Sequence, residues 1–150
     1  MHYSFGLSFF MHLNTNVDLV DHSFCALSYN QTEGWLQAIW RGYVDPQEAQ
    51  RGAQAYLEHA GRMPSPFLLN DNSQLVGPWF ESLDWLVDVW IPHATKLGLR
   101  YVAHIVQADQ HHDVLTDRLH GAAPFELQIF QNPADARDWL RETRKAHLAQ

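Results

Sequence analysis

Residues 66–107, PFLLNDNSQLVGPWFESLDWLVDVWIPHATKLGLRYVAHIVQ, constrain this chain more than any other stretch. A short apolar run, Phe67–Asn70, ends in Asn70-Asp71-Asn72-Ser73. A long amphipathic segment with three tryptophans follows, then Gly98, then a second β-branched run over 100–107. Strand, polar loop, helix, glycine stop and strand form a βαβ crossover, which requires two parallel strands. The fold class is therefore α/β, and the polar loop belongs at the carboxyl edge of the sheet. In open α/β sheets ligands gather at that edge.

The flanking sequence extends this unit. Phe24–Asn30 and Trp35–Arg41 read as two antiparallel strands joined by the turn Gln31-Thr32-Glu33-Gly34. The second strand is apolar on both faces, with Leu36, Ala38 and Trp40 on one and Trp35 and Ile39 on the other. Such a strand fits a sheet covered on both sides. Asp45-Pro46-Gln47-Glu48 opens a helix with a capping box, and its stripe of Ala49, Ala53, Tyr56, Leu57 and Ala60 faces inward up to a stop at Gly61. The second helix runs from Trp79 or Phe80 to Leu97, and Pro92 should kink or break it. A weak helix is expected over 110–120, a fifth strand from Phe125, and a terminal helix after the cap at Asn132-Pro133. Residues 14–22 read as a loop, and residues 1–22 as a whole supply at most an extra edge strand or an arm. The sum is a single domain over 1–150, with a four- or five-stranded mixed sheet and three or four helices packed on it.

Composition limits the function classes. The formal net charge is −7 and the ten basic residues are scattered, apart from Arg141, Arg144 and Lys145 near the end, which argues against nucleic acid, whose phosphates demand clustered Lys and Arg. No apolar run approaches the roughly 20 residues of a membrane span, and the amino terminus makes a poor signal peptide. A cytoplasmic protein is expected. The single cysteine, Cys25, excludes an internal disulfide and sits in an apolar run, as a buried inert thiol would. There is no Gly-x-Ser-x-Gly elbow, phosphate-cradling glycine loop, HExxH or paired CxxC, so no cofactor and no metal is expected.

Four sets of residues resemble a known family: Trp40-Arg41-Gly42, Leu69-Asn70-Asp71-Asn72, the WLVDVWIP run over 85–92, and Gly98-Leu99-Arg100-Tyr101-Val102-Ala103. With the element order, they make residues 24–146 similar to the STAS-like domains, the fold of the sporulation anti-sigma-factor antagonists. Within that fold the chain looks most like small bacterial proteins without assigned activity. The resemblance implies a non-catalytic regulatory or protein-interaction module, working as a homo-oligomer (a dimer) with a regulatory protein partner. In the antagonists a phosphorylatable serine stands where the third strand meets the second helix. Ser73 is the nearest match, and Gly77-Pro78 lies between it and the helix.

The expected ligand- or partner-binding surface comprises Asp71, Asn72 and Ser73 after the third strand, Trp79 and Trp85 on the second helix, and Asp109 and His111 after the fourth strand. Turn chemistry is the more ordinary explanation of Asp71-Asn72-Ser73, and a solvated helix start explains Asp109-Gln110-His111-His112-Asp113. His104 and Trp90 read as core residues. The rival class is a ligand carrier or a hydrolase-type enzyme in which Asp71, Ser73, Asp109 and His111 converge in a pocket walled by Trp79 and Trp85. A pH-responsive assembly built on the ten histidines is a third reading.

Overall fold

The computed structural model describes residues 10–17, 24–106, 118 and 123–150. A six-stranded sheet runs in chain order, β1 (Phe10–Val17), β2 (Phe24–Asn30), β3 (Trp35–Tyr43), β4 (Phe67–Val76), β5 (Tyr101–Ile105) and β6 (Glu126–Phe130). The first three strands are antiparallel neighbours, whereas β3 to β6 are parallel. The expected crossover is present: Phe67 pairs with Tyr101 and Asp71 with Ile105, and both strands run the same way. The five strands β2–β6 form the mixed sheet expected from the sequence, and β1 extends it at one edge.

Because β3, β4 and β5 succeed one another in a single direction, right-handed crossovers must put both intervening helices on one face. Helix α1 (Pro46–Arg62) connects β3 to β4, and a segmented helix α2 over residues 79–96 connects β4 to β5. Their apolar sides pack with Leu27, Leu36, Ala38, Leu68 and Val102 of the sheet. Helix α3 (Pro133–Leu148) covers the other face, where Ala136 and Leu140 close over Trp35, Phe67, Leu69, Ala103 and Ile105. Trp35 is wholly buried there, while its neighbour Leu36 is buried on the α1 side. This alternation confirms that β3 is covered on both faces.

The helix starts follow their local chemistry. Asp45 Oδ1 accepts from the Glu48 amide at 2.8 Å, and Glu48 Oε1 accepts from the Asp45 amide at 3.0 Å, a complete capping box. Asn132 Oδ1 caps α3 by accepting from the Asp135 amide at 2.8 Å. Gly98, at φ 104°, ends α2 in a conformation that disfavours any residue with a Cβ.

Four expectations need correction. The stretch Asn70–Ser73 is not a loop: β4 continues to Val76, because β3 continues to Tyr43 and offers partners for Gln74, Leu75 and Val76. Residues Phe10–Val17 are a strand where irregular chain was expected from residue 14, since the edge of β2 supplies their hydrogen bonds. Gly61 lies inside α1 rather than at its stop, and its Cα faces open space. The break at Pro92 is spread over four pieces: a 3₁₀ turn Trp79–Ser82, an α turn Leu83–Trp85, a π turn Leu86–Trp90 and a final α stretch Ile91–Lys96. Pro92 lacks an amide hydrogen and its ring displaces the preceding turn, which the π turn absorbs. The weak helix expected over 110–120 falls outside the described residues, apart from Arg118.

Candidate functional site

A partly open cavity of about 110 Å³ lies between α1, α2 and the sheet. Its floor is the sheet face carrying Ala38, Trp40, Leu68 and Val102. Gly52, Ala53 and Tyr56 of α1 form one wall, and Trp79, Leu86 and Trp90 of α2 form the other. Leu86 and Trp90 begin and end the π turn, so the irregularity in α2 is what presents both side chains to the cavity. Trp90 is anchored by its indole N–H, which donates to the Ala53 carbonyl at 3.0 Å, and by Tyr56, whose ring centroid is 5.2 Å away. Gly52 allows Trp40 to lie directly under α1: a Cβ built on it would stand 2.3 Å from Trp40 Cη2.

The polar side chains that the sheet contributes cluster at one place. Strand alternation puts Asn70 and Asn72 of β4 and His104 of β5 on the cavity face. Asn70 and His104 are register partners on adjacent strands. The Trp40 Nε1–H donates to Asn70 Oδ1 at 3.0 Å. An indole nitrogen can only donate, so the Asn70 amide is oriented with its oxygen toward Trp40. Asn70 Nδ2 is left to donate to Asn72 Oδ1 at 3.1 Å and to His104 Nδ1 at 3.0 Å. His104 Nδ1 is thus an acceptor, and the imidazole proton is on Nε2. This chain of donors continues to Asn72, whose oxygen is used while its Nδ2 has no partner among the described residues. Asn72 is 5% exposed.

Tyr56 adds a second donor. It is 4% exposed, and its hydroxyl has no hydrogen-bond partner among the described residues. Burial pushes its pKa upward, so the hydroxyl stays protonated and able to donate. Among the described residues no Asp, Glu, Lys or Arg lines the cavity.

The residues singled out from sequence divide. Asn72 and Trp79 line the cavity. Asp71 and Ser73 do not: alternation sends Asp71 to the opposite face, and its carboxylate accepts from the Ser73 amide at 2.9 Å, a local turn-like bond. Trp85 is half-buried on α2 away from the cavity. Asp109 and His111 lie outside the described residues. Sequence reasoning missed Trp40, Gly52, Tyr56 and Asn70, and it assigned His104 to the core, where it is indeed buried and hydrogen-bonded. The available signal was polar Asn70, Asn72 and His104 at alternating positions of strands otherwise apolar on that face.

The edge expected to carry the site lacks its usual cause. Crevices for ligands open where strand order reverses and successive helices part to opposite faces. Here the order never reverses, so α1 and α2 stay together and the space opens beneath them. Among the described residues no group of three or more His, Cys, Asp or Glu is arranged to hold a metal ion, and no helix is long and apolar enough to cross a membrane.

No family model and no curated protein matches the sequence. Among solved structures, the chain is similar to an uncharacterized protein of the DUF3478 family with a SpoIIAA-like fold from Shewanella loihica PV-4. The two are 18% identical and superimpose with a TM-score of 0.58 over 85% of this chain and 99% of that one. The chain therefore has the SpoIIAA-like, STAS-like α/β fold expected from its sequence.

Proposed function

We propose that this chain is a non-catalytic regulatory module whose signal is a small molecule held in the cavity between α1, α2 and the sheet. One observation carries the reading: two buried hydrogen-bond donors, on Asn72 and Tyr56, lack partners among the described residues on the wall of a largely apolar cavity. Unsatisfied buried donors cost about 1–3 kcal/mol each, so such a pair favours an occupant that satisfies them. Asn72 and Trp79 belong to the binding site in this reading.

Binding rather than catalysis is supported by the cluster's chemistry. Amide groups neither abstract nor donate protons at neutral pH, and His104 Nδ1 is engaged by the Asn70 amide. The module acts in the cytoplasm, as a dimer and through a protein partner. Its one cysteine is buried and unpaired, and Tyr43 and Val76, register partners at the ends of β3 and β4, are both exposed apolar groups suited to such contacts.

A thermal-shift screen of small aromatic fragments tests the reading, with Ala53→Leu as the cavity-filling control. Fragments that raise the Tm of the natural chain and leave the variant's Tm unchanged support it. Absence of any stabilising fragment, or stabilisation that survives the filling, contradicts it.

A further inference from the structure

Resting on that proposal, we infer that the cavity selects a neutral, planar, largely apolar molecule carrying a hydrogen-bond acceptor, and that Asn72 reads the acceptor. The direction of every bond in the cluster follows from Trp40. Its indole N–H can only donate, so Asn70 must present oxygen to it and nitrogen to Asn72 and His104. Asn72 must in turn present oxygen to Asn70, which leaves its nitrogen as a donor. A flipped Asn72 would set two amide NH₂ groups against each other. The network therefore makes Asn72 a donor of fixed sense, and a ligand must meet it with an acceptor.

The remaining walls define the rest of the molecule. Tyr56, Trp79 and Trp90 bring aromatic faces to the space, which favours a flat apolar body. The Tyr56 hydroxyl, kept protonated by burial, is a second donor for the same ligand. Among the described residues no Asp, Glu, Lys or Arg lines the cavity, so they offer a carboxylate or an ammonium no compensation for its desolvation. A volume of about 110 Å³ is smaller than the apolar cavity of about 150 Å³ that admits benzene, so a single small ring that projects partly through the open side is the largest body it suits.

Benzonitrile and phenylacetylene provide the test. They share one shape, and only the nitrile is an effective acceptor. Affinities are measured by titrating the natural chain and an Asn72→Leu variant while following tryptophan indole resonances. A neutral hydrogen bond of ordinary strength predicts that the natural chain binds benzonitrile about fivefold more tightly than phenylacetylene. The variant should bind the two equally. Equal binding by the natural chain, or a preference undiminished in the variant, overturns this inference while leaving the cavity as a binding site. If neither probe binds the natural chain, both readings fall; binding of benzonitrile alone supports the inference. If Asn72→Leu does not fold, the comparison on the natural chain alone decides.

Discussion

Trp40 Nε1 and Asn70 Oδ1 stand 3.0 Å apart, and this one hydrogen bond orients the polar cluster beneath the helices. Trp40→Phe keeps most of the ring and deletes the donor. Asn70 would lose its fixed sense, and a half-buried carbonyl oxygen would be left without its donor. The expected cost is about 2–3 kcal/mol in urea unfolding, from the lost bond, the stranded acceptor and the smaller ring. An unchanged midpoint would show that the bond does not organise the site.

Two glycines of α1 should respond to alanine with opposite signs. In a helix interior, Gly→Ala is worth about 0.5–1 kcal/mol of stabilisation. At Gly61 nothing lies within 4 Å of the new Cβ, so Gly61→Ala should gain that amount. At Gly52 the new Cβ would stand 2.3 Å from Trp40 Cη2, and overpacking of about 1–3 kcal/mol should outweigh the helix gain. Denaturant midpoints of the two variants check this. Stabilisation at both positions would mean that Trp40 moves freely under α1.

Cys25 is 2% exposed, and burial pushes its thiol pKa from 9.0 to about 12. The folded chain should resist alkylation at pH 8 and react only at the rate at which it unfolds. The linkage sign follows from the raised folded-state pKa. The thiol's contribution to stability is whole below about pH 9 and is lost as pH rises toward about 12. Rapid stoichiometric labelling of the native chain by iodoacetamide would contradict this placement.

Much of the fold was legible because its signals are local and periodic. The Asp45 capping box, the Gly98 stop and the apolar stripes of the helices each declare themselves within a few residues. They suffice to place β4 and β5 parallel. The reading of Asn70–Ser73 failed for the complementary reason. Asp, Asn and Ser favour turns by local chemistry, whereas the extension of β4 depends on pairing with residues 41–43, some thirty positions away. The site was less legible than the fold. The fit of Trp40 against Gly52 and the bond from Trp40 to Asn70 arise only when α1 lies on the sheet. Asn72 and Trp79 were visible from sequence as polar and aromatic outliers; Asn70 and His104 become partners only through the β4–β5 register.

The space beneath α1 and α2 is proposed to take up a small molecule. The chain's six tryptophans report on it directly. Trp40, Trp79 and Trp90 line the cavity, while Trp35, Trp85 and Trp139 do not. In a protein with nitrogen-labelled indoles, titration with benzonitrile should shift the resonances of Trp40, Trp79 and Trp90 and leave the other three in place. Shifts confined to Trp35, Trp85 and Trp139, or no saturable shift at any indole, would contradict it.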